Sequence, residues 1–115
     1  MPRREDLIRL RHMFEAAQEA AGFADGKTRT DLDTDRKLVL ALVQLLEIIG
    51  EAASKVSEQC REEYPQIDWL DAVGMRNRLI HAYFDVSLTI VWRTIKEDLP
   101  PLISLLGDIL AVHES

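Results

Sequence analysis

One cysteine in 115 residues rules out an internal disulfide, and no Cys or His stands at ligand spacing from Cys60 to suggest zinc. Flanked by Arg61 and Glu62 in a polar stretch, Cys60 reads as a spectator thiol. No apolar run approaches the roughly eighteen residues of a spanning helix. The charged start MPRRED also lacks the apolar stretch of a signal peptide, so the expectation is a cytoplasmic protein with no membrane partner. A basic surplus is missing as well. The net charge of -6 argues against coating nucleic acid through a broad basic surface and leaves room only for a small basic pocket with a short contact. Strand-like alternation, internal repeats and low-complexity tracts are absent. What is there, 47% hydrophobic and 30% charged residues, suits one folded domain over residues 1–115, long enough to bury its own core.

The apolar spacing is helical throughout, which makes the expected fold class all-α. Leu7, Leu10, Phe14, Ala17 and Ala21 mark one face of a first helix from about Arg3 to Ala21, ended by Gly22 and Gly26. FADGKTRTDLDT has no periodicity and reads as a loop, with Asp33 or Thr34 as the cap of the next helix. That helix is the longest, predicted to reach about Glu58. It carries two stripes: Leu38, Leu42, Leu45, Ile49, Ala52 and Val56, and beside them Val39, Val43, Leu46 and Ala53, with Gly50 between the last two. Two stripes predict burial on more than one side, against the chain's own core and against a partner subunit. Tyr64-Pro65 breaks the pattern, and Asp68 is placed to cap a third helix from near Trp69. Asp85 or Ser87 starts a fourth, with Leu88, Val91, Trp92 and Ile95 on one face. Pro100 and Pro101 mark a restart, after which Leu102, Leu105, Leu106 and Ile109 are buried by the last helix.

The third helix holds the chemistry. AVGMRNRLIHAYF, from Ala72 to Phe84, contains two arginines, an asparagine, a histidine and a tyrosine, and no carboxylate, in a chain that is otherwise acidic. Trp69, Val73, Arg76, Ile80 and Tyr83 follow a four-three-four-three spacing, which puts Arg76 where leucine would be expected. Burying an unpaired guanidinium is costly. Arg76 therefore either snorkels out along its aliphatic stem or lines a cleft where an anion or a second subunit meets it, and Glu47 or Glu51 of the long helix could pair with it. Asn77 and His81 lie four apart and can address a common point. Near a helix end, His81 is suited to acid or base work around neutral pH, although a histidine there is more often a cap. Arg78 and Arg93 could add attraction for one or two phosphates. Tyr83 and Trp92 read as core aromatics more readily than as stacking platforms.

The stretch YPQIDWLDAVGMRNRLIHAYFDVSLTIVWRTIKEDLPPLI, with LEIIGEAASKVS before it and LRHMFEAAQEA near the start, resembles the HepT-like branch of the HEPN superfamily. These are toxin halves of prokaryotic MNT–HEPN toxin–antitoxin pairs. The resemblance spans essentially the whole chain and implies a five-helix, up-and-down HEPN bundle, usually a homodimer whose arginine–histidine motifs face a shared cleft. It also implies a metal-independent endoribonuclease that needs no cofactor and acts on RNA rather than DNA. Arg76 would neutralise the scissile phosphate, His81 would transfer protons, Asn77 would orient one or the other, and Arg78 would help bind substrate. Tyr83 matches the tyrosine to which a cognate minimal nucleotidyltransferase attaches AMP, silencing the toxin. The alternative implied by the same likeness is a non-catalytic nucleotide- or protein-binding partner of that nucleotidyltransferase. A vestigial helical dimer fits less well, because Arg76 interrupts the apolar stripe.

Overall fold

A computed structural model describes residues 2–80 and 87–114, with the side chains of residues 77–80 outside the description. Helices α1 (Arg4–Ala24), α2 (Asp31–Thr34), α3 (Arg36–Ser54), α4 (Glu58–Glu63), α5 (Trp69–Ile80), α6 (Leu88–Arg93) and α7 (Leu99–Glu114) follow in chain order. A π-helical turn, Thr94–Asp98, joins α6 to α7. No strand occurs among the described residues, so the all-α expectation holds. The assembly of helices measures 45 × 27 × 19 Å.

The long helices run up and down. Asp6 at the start of α1 meets Ser57 just beyond α3, and Arg11 pairs with Glu114 at the end of α7. Helix α1 is therefore antiparallel to both. Leu10, Met13, Ala17 and Ala20 of α1 are fully buried, together with Leu42, Leu46 and Ile49 of α3 and Leu106 of α7. Helix α3 also packs against α5. Both of its stripes are thereby covered within one chain: Leu38, Leu42, Leu45, Ile49 and Ala52 on one, Val43, Leu46 and Ala53 on the other, with Val39 partly covered. The stripes alone thus do not require a partner subunit.

Several boundaries differ from the sequence expectation, each for a local reason. Helix α1 runs through Gly22 to Ala24 because Ala20 and Ala24 are fully buried and hold the extra turn; Gly26, at φ +75°, makes the exit. The cap of α3 is Asp35, whose side chain accepts the Leu38 N–H at 3.0 Å, because Asp31–Thr34 form their own helical turn. Helix α3 ends at Ser54 instead of continuing to Glu58. The Arg61 guanidinium takes up the freed carbonyls of Ala53 and Val56 at 2.9 and 3.2 Å. Asp68 caps α5 through the Asp71 N–H at 3.0 Å, and Ser87 caps α6 through Ile90. Asp85, the other candidate cap, lies outside the described residues.

The prolines do not interrupt the last helix. Pro100 and Pro101 have no N–H to give the carbonyls of residues 96 and 97, and their rings crowd that turn. The wider π turn just before them relieves the crowding, while the Thr94 hydroxyl donates to Ile90 O at 2.8 Å. The expected fourth and fifth helices therefore form one continuous rod. Lys96 places its ammonium 4.8 Å from the centre of the half-buried Trp92 ring.

Cys60 is buried, contrary to its polar neighbourhood in sequence, because α4 turns that side inward. Burial pushes its thiol up to about 11, so it stays protonated at neutral pH and is a poor nucleophile, in keeping with a spectator. Nearby, the Tyr64 hydroxyl lies 2.8 Å from His113 Nε2, and burial raises the tyrosine's pKa.

The one carboxyl group buried among the described residues, Asp6, is fully used. It accepts the Ser57 N–H at 2.8 Å and the Ser57 hydroxyl at 2.7 Å, while Ser57 Oγ accepts the Cys60 N–H. Removing the acceptor leaves two half-buried donors without their partner, each bond to a charged group being worth about 1.5–3 kcal/mol. Asp6→Ala should lower stability by about 3 kcal/mol in urea denaturation at neutral pH. Ser57→Ala should cost less, because the backbone N–H of residue 57 still donates to the carboxylate.

Candidate active site

Arg76 reaches its position through a glycine. A Cβ built on Gly50 would lie 2.7 Å from both the backbone nitrogen and the Cβ of Arg76, so α3 and α5 touch almost backbone to backbone at this point. That contact explains why an arginine occupies an apolar register. Ala72 and Met75 supply the buried face of α5, with Trp69 and Val73 half-buried, while the Arg76 stem passes the small Gly50 surface and its head emerges. The stripe expected through Arg76 is corrected accordingly. The stem snorkels past Gly50, and the head lines an open cavity beside α3.

The head is oriented by Glu51. Arg76 Nη1 donates to Glu51 Oε2 at 2.6 Å, and Lys55 Nζ stands 3.3 Å from Oε1 of the same carboxylate. Of the two glutamates considered as partners, Glu51 is the one observed. With the side chains 51% and 44% exposed, such a pair contributes only about 0–1 kcal/mol to stability. Its main consequence is therefore direction: the guanidinium is held at one edge, leaving other N–H donors for an anion.

Arg76 and Glu51 line an open cavity of about 430 Å³ to which α1 contributes Arg9 and His12. Neither of these residues, nor Lys55, stood out in the sequence. Arg9 and His12 lie in an ordinary amphipathic helix, and nothing in their spacing distinguishes them from a solvated face. Arg93, on α6, does not line this cavity. Asn77 and Arg78 lie in α5, but their side chains, like all of His81 and Tyr83, are outside the described residues. Among the described residues, no group of His, Cys, Asp or Glu is arranged to hold a metal ion, and no helix is long and apolar enough to cross a membrane.

Comparison with known proteins supplies the decisive observation: the family model for HepT-like ribonucleases matches residues 13–109. The chain belongs to the HepT-like ribonuclease family. Its relatives in that family include a provisionally named RNase of Methanocaldococcus jannaschii, 31% identical over 89% of this chain and 94% of that one. A provisionally named RNase of Caldanaerobacter subterraneus subsp. tengcongensis is 35% identical over 88% and 90%. A protein of Thermococcus cleftensis, provisionally named ribonuclease HepT, is 42% identical over 63% and 66%. No solved structure matches the chain. The HepT-like HEPN assignment made from the motif is thus sustained.

The contact between α3 and α5 is directly testable. In Gly50→Ala the new methyl group has only backbone and a Cβ to push against, so stability should fall by about 1–3 kcal/mol in urea denaturation. Gly22→Ala is the control. Nothing lies within 4 Å of its Cβ, and the gain in helix propensity should leave that variant equal to the parent or about 0.5–1 kcal/mol more stable.

Proposed function

We propose that this chain is a metal-independent endoribonuclease, a single cytoplasmic HEPN domain over residues 1–115 that acts as the toxin of a toxin–antitoxin pair. Membership of the ribonuclease family supports the substrate class. The observation that carries the mechanism is the guanidinium of Arg76, fixed by Glu51 at the rim of an open cavity with N–H donors to spare. In the proposed reaction a base takes the proton of the RNA 2'-hydroxyl, and the 2'-oxygen forms a bond to the adjacent phosphorus. The bond from phosphorus to the 5'-oxygen breaks, and an acid protonates that leaving oxygen. The products are a 2',3'-cyclic phosphate and a 5'-hydroxyl.

Arg76 neutralises the charge that grows on the phosphoryl oxygens, where a preorganised cation lowers the barrier. His81 handles the protons, Asn77 orients the histidine or the phosphate, and Arg78 assists substrate binding. No metal is required, because the nucleophile belongs to the substrate. In a homodimer with a shared cleft, one His81 per subunit supplies an acid and a base. The partner proposed to restrain the enzyme is a minimal nucleotidyltransferase that adds AMP to Tyr83, two residues from His81, where an anionic adduct would repel RNA.

Cleavage of a labelled RNA by the purified chain tests the chemistry. Activity should persist in excess EDTA and fall at least about a hundredfold in His81→Ala, the scale of one general acid–base group. Arg76→Lys should also be impaired, because an ammonium cannot reproduce the guanidinium's bidentate hold. Equal cleavage by His81→Ala and the parent, or loss of activity in EDTA, would contradict the mechanism.

Control by modification is tested separately by mass spectrometry after co-expression with the partner nucleotidyltransferase. AMP-sized additions on Tyr83, with Tyr83→Phe still cutting RNA but no longer silenced, are the expected outcome. An unmodified Leu79–Trp92 peptide recovered from a silenced complex would make the inhibition steric instead.

A further inference from the structure

The cavity beside Arg76 is larger and chemically more varied than a site for one phosphate requires. Arg9 and His12 stand three residues apart on α1 and so share a face of that helix, and both line the cavity. Lys55 joins them from the turn after α3, while Gln44, Glu47 and Ile48 of α3 complete the lining beside Glu51. The cations suit phosphodiester oxygens. The Gln44 amide and Glu47 carboxylate suit ribose hydroxyls and base edges, and Ile48, 37% exposed, offers an apolar surface for a base face.

Charge and size support the same occupant. Arg9, Lys55 and Arg76 oppose Glu47 and Glu51 in the lining, and Glu51 is already shared between Arg76 and Lys55. The cavity is therefore not negative, in a chain whose net charge is -6. Its volume of about 430 Å³ lies within the roughly 300–1,000 Å³ of small-ligand sites.

We propose that this cavity is a subsite for one nucleotide of the RNA strand flanking the bond that is cut, with Arg9 and His12 holding its phosphodiester. Arg76 stands where this nucleotide meets the scissile phosphate. The proposal deepens the ribonuclease reading and rests on it for the identity of the strand. Lys55, 3.3 Å from Glu51 Oε1 at the same cavity, is a further donor to the entering phosphate.

The test is the binding of a fluorescein-labelled 2'-O-methyl RNA octamer, which cannot be cut by its own 2'-oxygen, followed by anisotropy in about 0.1 M salt. Arg9→Gln/His12→Gln keeps long polar side chains on α1 and removes the two basic groups. Lys27→Gln/Lys37→Gln removes two exposed charges that do not line the cavity, and melting by circular dichroism checks that both variants fold. The expected result is binding about tenfold weaker for the first variant, with a salt slope reduced by about 1–2, and a change within about twofold for the second. Undiminished binding by Arg9→Gln/His12→Gln, an equal loss in the lysine variant, or no binding by the parent would overturn the subsite. Cleavage of unmodified RNA separates the two readings. A parent that binds but never cuts, with the loss still specific to Arg9→Gln/His12→Gln, keeps the subsite and removes the ribonuclease. A parent that cuts while that variant binds undiminished does the reverse.

Discussion

Everything proposed for this chain depends on the distance between two helices at one residue. Gly50 lets the backbone of α3 approach that of α5 until a single methyl group would no longer fit, and Arg76 sits at the point of contact. Were the helices a side chain further apart, the position would demand a leucine to fill the space, and a guanidinium there would cost more than it contributes. Close approach turns a core position into a rim position. Glu51, the next residue after Gly50, is then automatically beside the emerging head, so the glycine and the carboxylate that aims the arginine are consecutive for a geometric reason.

A second joint holds the floor of the cavity in place. Asp6 ties the first turn of α1 to Ser57, Ser57 starts α4, and Arg61 of α4 reaches back to the last carbonyls of α3. Lys55 lies in the turn between these contacts. Three helices thus meet at hydrogen bonds that leave few alternatives for that turn, and its cation is presented toward Glu51 instead of sweeping through solvent. The bonds join α1 to the end of α3, the two helices that supply most of the cavity lining.

Much of this was legible in the sequence, and the exceptions have physical causes. The periodicity of Leu38 to Ala53 marked α3 and its two buried faces, because burial is read directly from spacing, but α3, expected to be the longest helix, has 19 residues against 21 in α1, since it stops at Ser54 while α1 runs on to Ala24. The source of that burial was not legible, since a pattern of apolar residues does not say whether α1, α5 or another subunit covers them. Helix ends were shifted where a tertiary bond outweighed local propensity, as at Ser54, or where buried alanines carried the helix past a glycine, as at Gly22. In the site, Arg76 and its candidate partner Glu51 were visible, one as an interruption of an apolar stripe and the other as a carboxylate within reach on the neighbouring helix. Arg9, His12 and Lys55 were not. Charged residues on an exposed helical face carry no mark of what faces them until the helices are assembled.

The π turn between α6 and α7 acts as a phase correction in the longest rod of the molecule. Val91, Ile95 and Leu99 follow one another at intervals of four, a spacing that would drift sideways around a regular helix of 3.6 residues per turn. The wider turn absorbs that drift, and all three residues remain buried before Leu102 and Leu106 resume the ordinary spacing. One residue of extra length is stored in the backbone at that turn, and the helical run continues from Leu88 to Glu114. Deleting one residue between Thr94 and Asp98 would therefore return the turn to ordinary helix with later side chains, including Leu106 against α1, still in phase, whereas a deletion within the regular turns of α7 would rotate every side chain beyond it, and substitutions at exposed positions such as Glu97 leave the phase untouched.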